Sequence, residues 1–142
     1  MKPESADARV LDSWAVMAWL NGEQPAKGRF VALLTEAAQG SVSLAMSMVN
    51  VGEVYYLLAK DKGQRFAVTF WEDFQTTPVR IVGAPNDLIL EAAQWKSRHP
   101  ISYADAFALA TAVREQAVLV TGDPEFQPLA ERGLVRLEWI GR

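Results

Sequence analysis

The chain has no cysteine, and among its 142 residues there is a single histidine, His99. The first absence excludes disulfide frameworks, thiol nucleophiles and cysteine-bound zinc, and it fits a reducing compartment. The second excludes nucleases that use two histidines as acid and base, and with them multi-histidine metal sites. Long apolar runs are also lacking. No segment approaches the ~20 apolar residues of a membrane span. The opening "MKPESADARV" has no apolar core of the kind a signal peptide needs. The expectation is a cytoplasmic protein that does not meet a membrane. Neither GxxxxGK[ST] nor GxGxxG occurs, so nucleotide binding has no support. There is no basic excess either. Net charge is −3 and the isoelectric point lies near 5.2, whereas general nucleic-acid binders sit above ~9. Only a local patch could meet nucleic acid.

What is present is an alternation of strands and helices. "ARVLD" (8–12) reads as a strand and "SWAVMAWLNG" (13–22) as a helix stopped by Gly22. A helix is expected over 26–40, a strand over 41–46 and helices over 50–63 and 65–75, before Pro78. A strand at 79–83, helices at 86–98 and 103–116, a strand at 117–121 and an alternating edge strand at 134–140 complete the pattern. Strands separated by helices imply a mainly parallel sheet covered on both faces, an α/β three-layer sandwich. No repeat or linker interrupts the chain, so residues 1–142 read as one domain, with 1–7 as a flexible N-terminal extension.

In such sheets the ligand crevice lies beyond the carboxyl ends of the strands, near a switch in strand order. Four acids fall there. Asp12 follows the first strand, Asp123 follows "AVLVT" after Gly122, and Glu53 and Asp105 lie in the first turns of helices. Each has a plain structural explanation. Ser102-x-x-Asp105 and Asn50-x-x-Glu53 have the form of capping boxes, Asp123 precedes Pro124 as an N-cap would, and Asp12 could cap the first helix. Their conjunction is harder to explain by capping alone. Two carboxylates ~4 Å apart repel by roughly 4 kcal/mol at an effective dielectric near 20. A cluster therefore calls for a cation or for raised pKa values. Oxygen donors without histidine or cysteine favour Mg²⁺ or Mn²⁺.

"VLDSWAVMAWL", "NVGEVYYLLAK", "YADAFALATA" and "VTGDPEF" together resemble, in order and spacing, the four motifs of PIN-domain ribonucleases. The closest resemblance is to the VapC-type toxins of toxin–antitoxin pairs. It implies a Rossmann-like α/β/α sandwich with strand order 3-2-1-4-5. Asp12, Glu53, Asp105 and Asp123 match the family's catalytic, metal-binding acids. Ser13 and Thr121 match its flanking hydroxyls, and Glu125 stands where relatives often carry another acid, as a possible outer-shell member. Trp14 departs from the small residue common in relatives. The resemblance further implies Mg²⁺- or Mn²⁺-dependent endoribonuclease activity leaving 5′-phosphate and 3′-hydroxyl ends, an RNA substrate, a VapB-type antitoxin and a homodimer. The alternative is an inactive PIN-like module that binds protein or RNA. Haloacid-dehalogenase phosphatases need a second aspartate two residues after the first, where this chain has Trp14. Receiver domains need paired acids near the first strand, which are missing. Lys60, Lys62 and Arg65, like Lys96, Arg98 and His99, read first as solvated helix-end charge and second as RNA-backbone contacts.

Overall fold

The computed structural model describes residues 7–142, so residues 1–6 of the expected extension lie outside the described residues. Asp7, assigned to that extension from sequence, instead opens the first strand. Five parallel strands form one sheet: β1 (Asp7–Leu11), β2 (Val42–Ser47), β3 (Val79–Val82), β4 (Val118–Thr121) and β5 (Leu137–Trp139). Their order is β3-β2-β1-β4-β5, as the resemblance implies. The chain therefore runs outward from β1 to β3, then resumes on the other side at β4. The reversal falls between β1 and β4, and it places a crevice at their carboxyl ends.

Strand side chains alternate between two cores. Leu11, Leu44, Met46 and Val120 face one layer, formed by α1 (Ser13–Leu20), α2 (Ala26–Ala38), α3 (Met48–Lys62) and α4 (Gln64–Phe74). Val10, Ala45 and Leu119 face the other, formed mainly by α5 (Asn86–Arg98), α6 (Tyr103–Arg114) and the short α7 (Gln127–Glu131). Helix α6 is buried from Asp105 to Ala112. Ala106, Ala108, Ala110 and Ala112 are all buried in this core, and the helix's single acid stands in its first turn.

Other sequence expectations shift. Helix α3 starts at Met48, not residue 50, because Ser47 ends β2 and caps α3 at once, its Oγ accepting from the Val49 amide at 3.2 Å. The capping box expected at Asn50 and Glu53 is therefore absent, and Glu53 lies in the second turn of α3. Helix α7, with the 3-10 turn Pro124–Phe126 before it, was not expected from sequence; its five residues are too few to show a period.

Candidate active site

Asp12 follows β1 with no intervening residue and is wholly buried. It caps α1: its Oδ1 accepts from the Ala15 amide at 2.8 Å, and its Oδ2 accepts from the Thr121 hydroxyl. Thr121 Oγ1 also accepts from the Asp123 amide at 2.9 Å. One hydroxyl thus ties together the acid-bearing ends of β1 and β4. Burial raises the Asp12 carboxyl to about 7, although the bonds from Thr121 and Ala15 oppose it; the charges of Asp123 and Glu53 add to the rise.

Asp105 enters from α6. Ser102 caps that helix, its Oγ accepting from the Asp105 amide at 3.1 Å. In a full capping box the Asp105 carboxylate would return to the Ser102 amide. Here Glu125 Oε1 accepts from that amide instead, at 3.4 Å. The Asp105 carboxyl is left to face the other acids. Its pKa rises to about 9, first through burial, then through a hydrogen bond with Glu125 and the charges of Asp123, Asp12 and Glu125. Asp123 caps the 3-10 turn, accepting from the Glu125 amide at 2.9 Å. So three of the four acids do cap helical turns, or sit inside a cap, and also converge.

The convergence has a clear centre. Carboxylate oxygens of Asp105, Asp123 and Glu125 lie within 4.8 Å of one another. Glu53 joins them, with Ser13, Trp14 and Ser102, on the walls of a cleft of about 540 Å³. Asp12 lies beneath that cleft rather than on its surface and is linked to it through Thr121 and through charge. Glu125, expected only as an outer member from sequence, belongs to the tightest group. The donor set is oxygen alone, which suits a hard divalent cation such as Mg²⁺ or Mn²⁺. His99 ends α5, packs beside Trp95 and does not line the cleft.

Asn50 is not the cap that the sequence pattern predicts. It is fully buried in α3, one turn before Glu53. Its Nδ2 donates to the carbonyl of Ala104 at 2.9 Å, and its own carbonyl accepts from the Ser13 hydroxyl at 3.2 Å. It therefore joins the residues next to Asp105 and Asp12 to the helix that carries Glu53. Among the described residues its Oδ1 has no hydrogen-bond partner. The sequence signal was an asparagine on the apolar face of a helix, a polar group that needs a reason to be buried.

Comparison with known proteins places the fold. VapC20 of Mycobacterium tuberculosis, described as a sarcin–ricin loop cleaving toxin, superposes with a TM-score of 0.70 at 22% identity, covering 85% of this chain and 94% of that one. The VapBC2 structure of Rickettsia felis, bound to a promoter DNA fragment, gives a TM-score of 0.68 at 17% identity, covering 92% and 97%. A FitAcB structure from Neisseria gonorrhoeae gives 0.64 at 18% identity, covering 91% and 95%. No curated protein sequence gives a significant match. The PIN domain family matches residues 9–132, a span that contains every acid of the cleft. The chain belongs to the PIN domain family.

Proposed function

We propose that the protein is a metal-dependent endoribonuclease and the toxin of a type II toxin–antitoxin pair. The observation that carries this reading is the convergence of carboxylates from three separate chain segments on one cleft at the strand-order reversal, with a fourth, that of Asp12, buried beneath it. Asp105, Asp123 and Glu125, with Glu53 across the cleft, would hold Mg²⁺ or Mn²⁺. Asp12 would support them from below. Bound there, the cation supplies activation of water and neutralisation of the charge that develops on phosphate. The chain's own part is orientation. Thr121 fixes the Asp12 carboxylate, Ser102 and Glu125 set the start of α6, and Asn50 holds α3 against it. An acidic cleft repels a polyanion unless a cation intervenes, so metal dependence and RNA binding are parts of one requirement.

The partner assignment has its own support. Several structures with this fold come from toxin–antitoxin systems, among them a toxin–antitoxin complex from Klebsiella pneumoniae and VapBC-5 of Mycobacterium tuberculosis. On this chain Trp19, Leu20, Phe66, Phe70 and Phe74 line an apolar groove of about 390 Å³ between α1 and α4. Phe66 is 46% exposed there. That groove suits an apolar segment of a VapB-type antitoxin. A homodimer and a cytoplasmic location complete the reading. Among the described residues no helix is long and apolar enough to cross a membrane.

Purified protein incubated with total cellular RNA in Mg²⁺, Mn²⁺ or EDTA, with the new 5′ ends mapped, tests the reading. Discrete cuts that need metal and vanish in Asp105→Asn are expected. Cuts that persist in EDTA or in the variant would remove this cleft as their source. No cutting together with no Mn²⁺ binding would point to an inactive binding module.

A further inference from the structure

Trp14 is a wall shared by two spaces. One side borders the acidic cleft with Glu53, Asp105 and Asp123. The other borders a separate recess of about 330 Å³, lined with Glu23, Gln24, Pro25, Ile140 and Arg142. The ring is held by the turns that carry the acids. Trp14 lies two residues after Asp12, and its six-membered ring rests on Gly122, the residue before Asp123. A Cβ at Gly122 would meet three ring carbons at 2.2–2.6 Å. Only glycine permits that approach, so the ring is fixed beside the site yet stays half-buried.

The recess has a composition unlike the cleft. It offers the Trp14 indole, apolar contacts from Pro25 and Ile140, and three different polar ends. Gln24 Oε1 accepts from the Gly28 amide at 3.0 Å, which orients the side chain and leaves its NH₂ as a donor. Glu23 is an acceptor and Arg142 a donor. Flat apolar faces bounded by donors and acceptors at an edge are the complement of a nucleobase. A recess of this size falls at the lower end of ligand pockets, ~300–1,000 Å³.

We propose that this recess receives the unpaired base of a nucleotide flanking the scissile phosphate, with Trp14 as its stacking platform. The inference rests on the ribonuclease reading and adds substrate selection to it. A phosphate held over the acids places its neighbouring nucleotide within reach of the wall they share. A base inside a duplex exposes no face for stacking, so the preferred substrate is a single strand or loop. Trp14 then acts on where the chain is cut, while the acids act on whether it is cut.

The test uses a short oligoribonucleotide carrying a site mapped with the wild-type protein, and versions with one abasic residue at each flanking position. One flanking abasic residue should lower wild-type cleavage about tenfold or more through KM, and a duplex of the same sequence should resist cutting. Trp14→Ala should show the same loss on the intact oligonucleotide, no further loss on the abasic one, and unchanged Mn²⁺ affinity. Trp14→Phe should retain most of the preference. Gln24→Ala, at an exposed position, should change base preference, read as altered kcat/KM ratios among oligonucleotides that differ only in the flanking base. Abasic substrates cut like the parent at every flanking position would overturn the inference with no variant needed. An abasic penalty that persists undiminished in Trp14→Ala would also overturn it. Failure of the wild-type protein to cut any RNA would instead defeat the underlying ribonuclease reading, and this inference with it.

Discussion

Asp105 sits where a capping box would turn its carboxylate back to the Ser102 amide, and Glu125 takes that bond instead. The freed carboxyl carries a cost to the metal-free fold. With values raised to about 9 and about 7, Asp105 and Asp12 hold protons in the folded protein that the unfolded chain releases near pH 4. The folded state binds more protons across that window. Metal-free stability should therefore be greatest at mildly acid pH and fall as pH rises from about 4 through about 9. Thermal melts in EDTA from pH 5 to 9 check this, and Asp105→Asn should flatten the slope while abolishing metal-dependent cutting. An unchanged slope would mean that Asp105 ionises as it does in water. Asn50 gives a second expectation. Asn50→Ala removes a buried hydrogen bond to the Ala104 carbonyl and should cost about 1 kcal/mol, read from the denaturant midpoint. Asn50→Asp should be worse at pH 8, because it sets a carboxylate against that carbonyl. At this scale the sequence was informative where one residue does two jobs with a local signature. Asp12 and Asp123 announced their caps, and a capping residue at or just past the end of a strand has few places to go. The role of Asn50 depends on α6, 54 positions away, which no local pattern contains.

Elements were legible where apolar period and punctuation agreed. Helix α5 matches the expected 86–98 in full, between Pro85 and Pro100. The strand expected over 134–140 shrinks to Leu137–Trp139, since alternation in sequence does not decide how many residues find a partner. That short edge strand is held from the side. Glu138 accepts from Arg9 Nε at 3.1 Å and from Arg29 Nε, and Arg29 Nη1 reaches Glu36 at 2.9 Å. Burial works against ionisation of Glu138, but the bonds from Arg29 and Arg9 outweigh it and its pKa is lowered. Its contribution is therefore present above the ordinary carboxylate range and lost as pH falls through the lowered value. Glu138→Gln should cost on the order of 2 kcal/mol at pH 7, with a smaller difference near pH 3. Urea denaturation at the two pH values decides. An equal cost at both would assign the effect to packing instead of charge.

At the scale of the whole molecule, the strand order itself assembles the charge. Helices leaving β1 and β2, the start of α6 and the turn after β4 all deliver acids to the carboxyl end of one sheet. The fold was legible as alternating strands and helices, and the strand order followed from resemblance. Which acids would lie deepest was not legible, because burial depends on how segments distant in sequence pack around each carboxylate. A fold that gathers carboxylates should be stabilised by whatever neutralises them. A cation at one hundred times its dissociation constant adds about 2.7 kcal/mol to the folded state if the unfolded chain does not bind it. For a domain of this length that corresponds to a rise of roughly 5–10 °C in Tm. Differential scanning fluorimetry with Mg²⁺ or Mn²⁺ should show a saturable rise, larger at pH 8 than at pH 6 because the cation must displace protons from Asp105 and Asp12. Sodium chloride at equal ionic strength should give little of it, since screening acts weakly on buried charge. Asp105→Asn should start from a higher metal-free Tm at pH 8 and gain less on adding metal. An equal gain in the wild-type and variant proteins would place the cation elsewhere on the surface, and the acids of this cleft would then have to be explained without it.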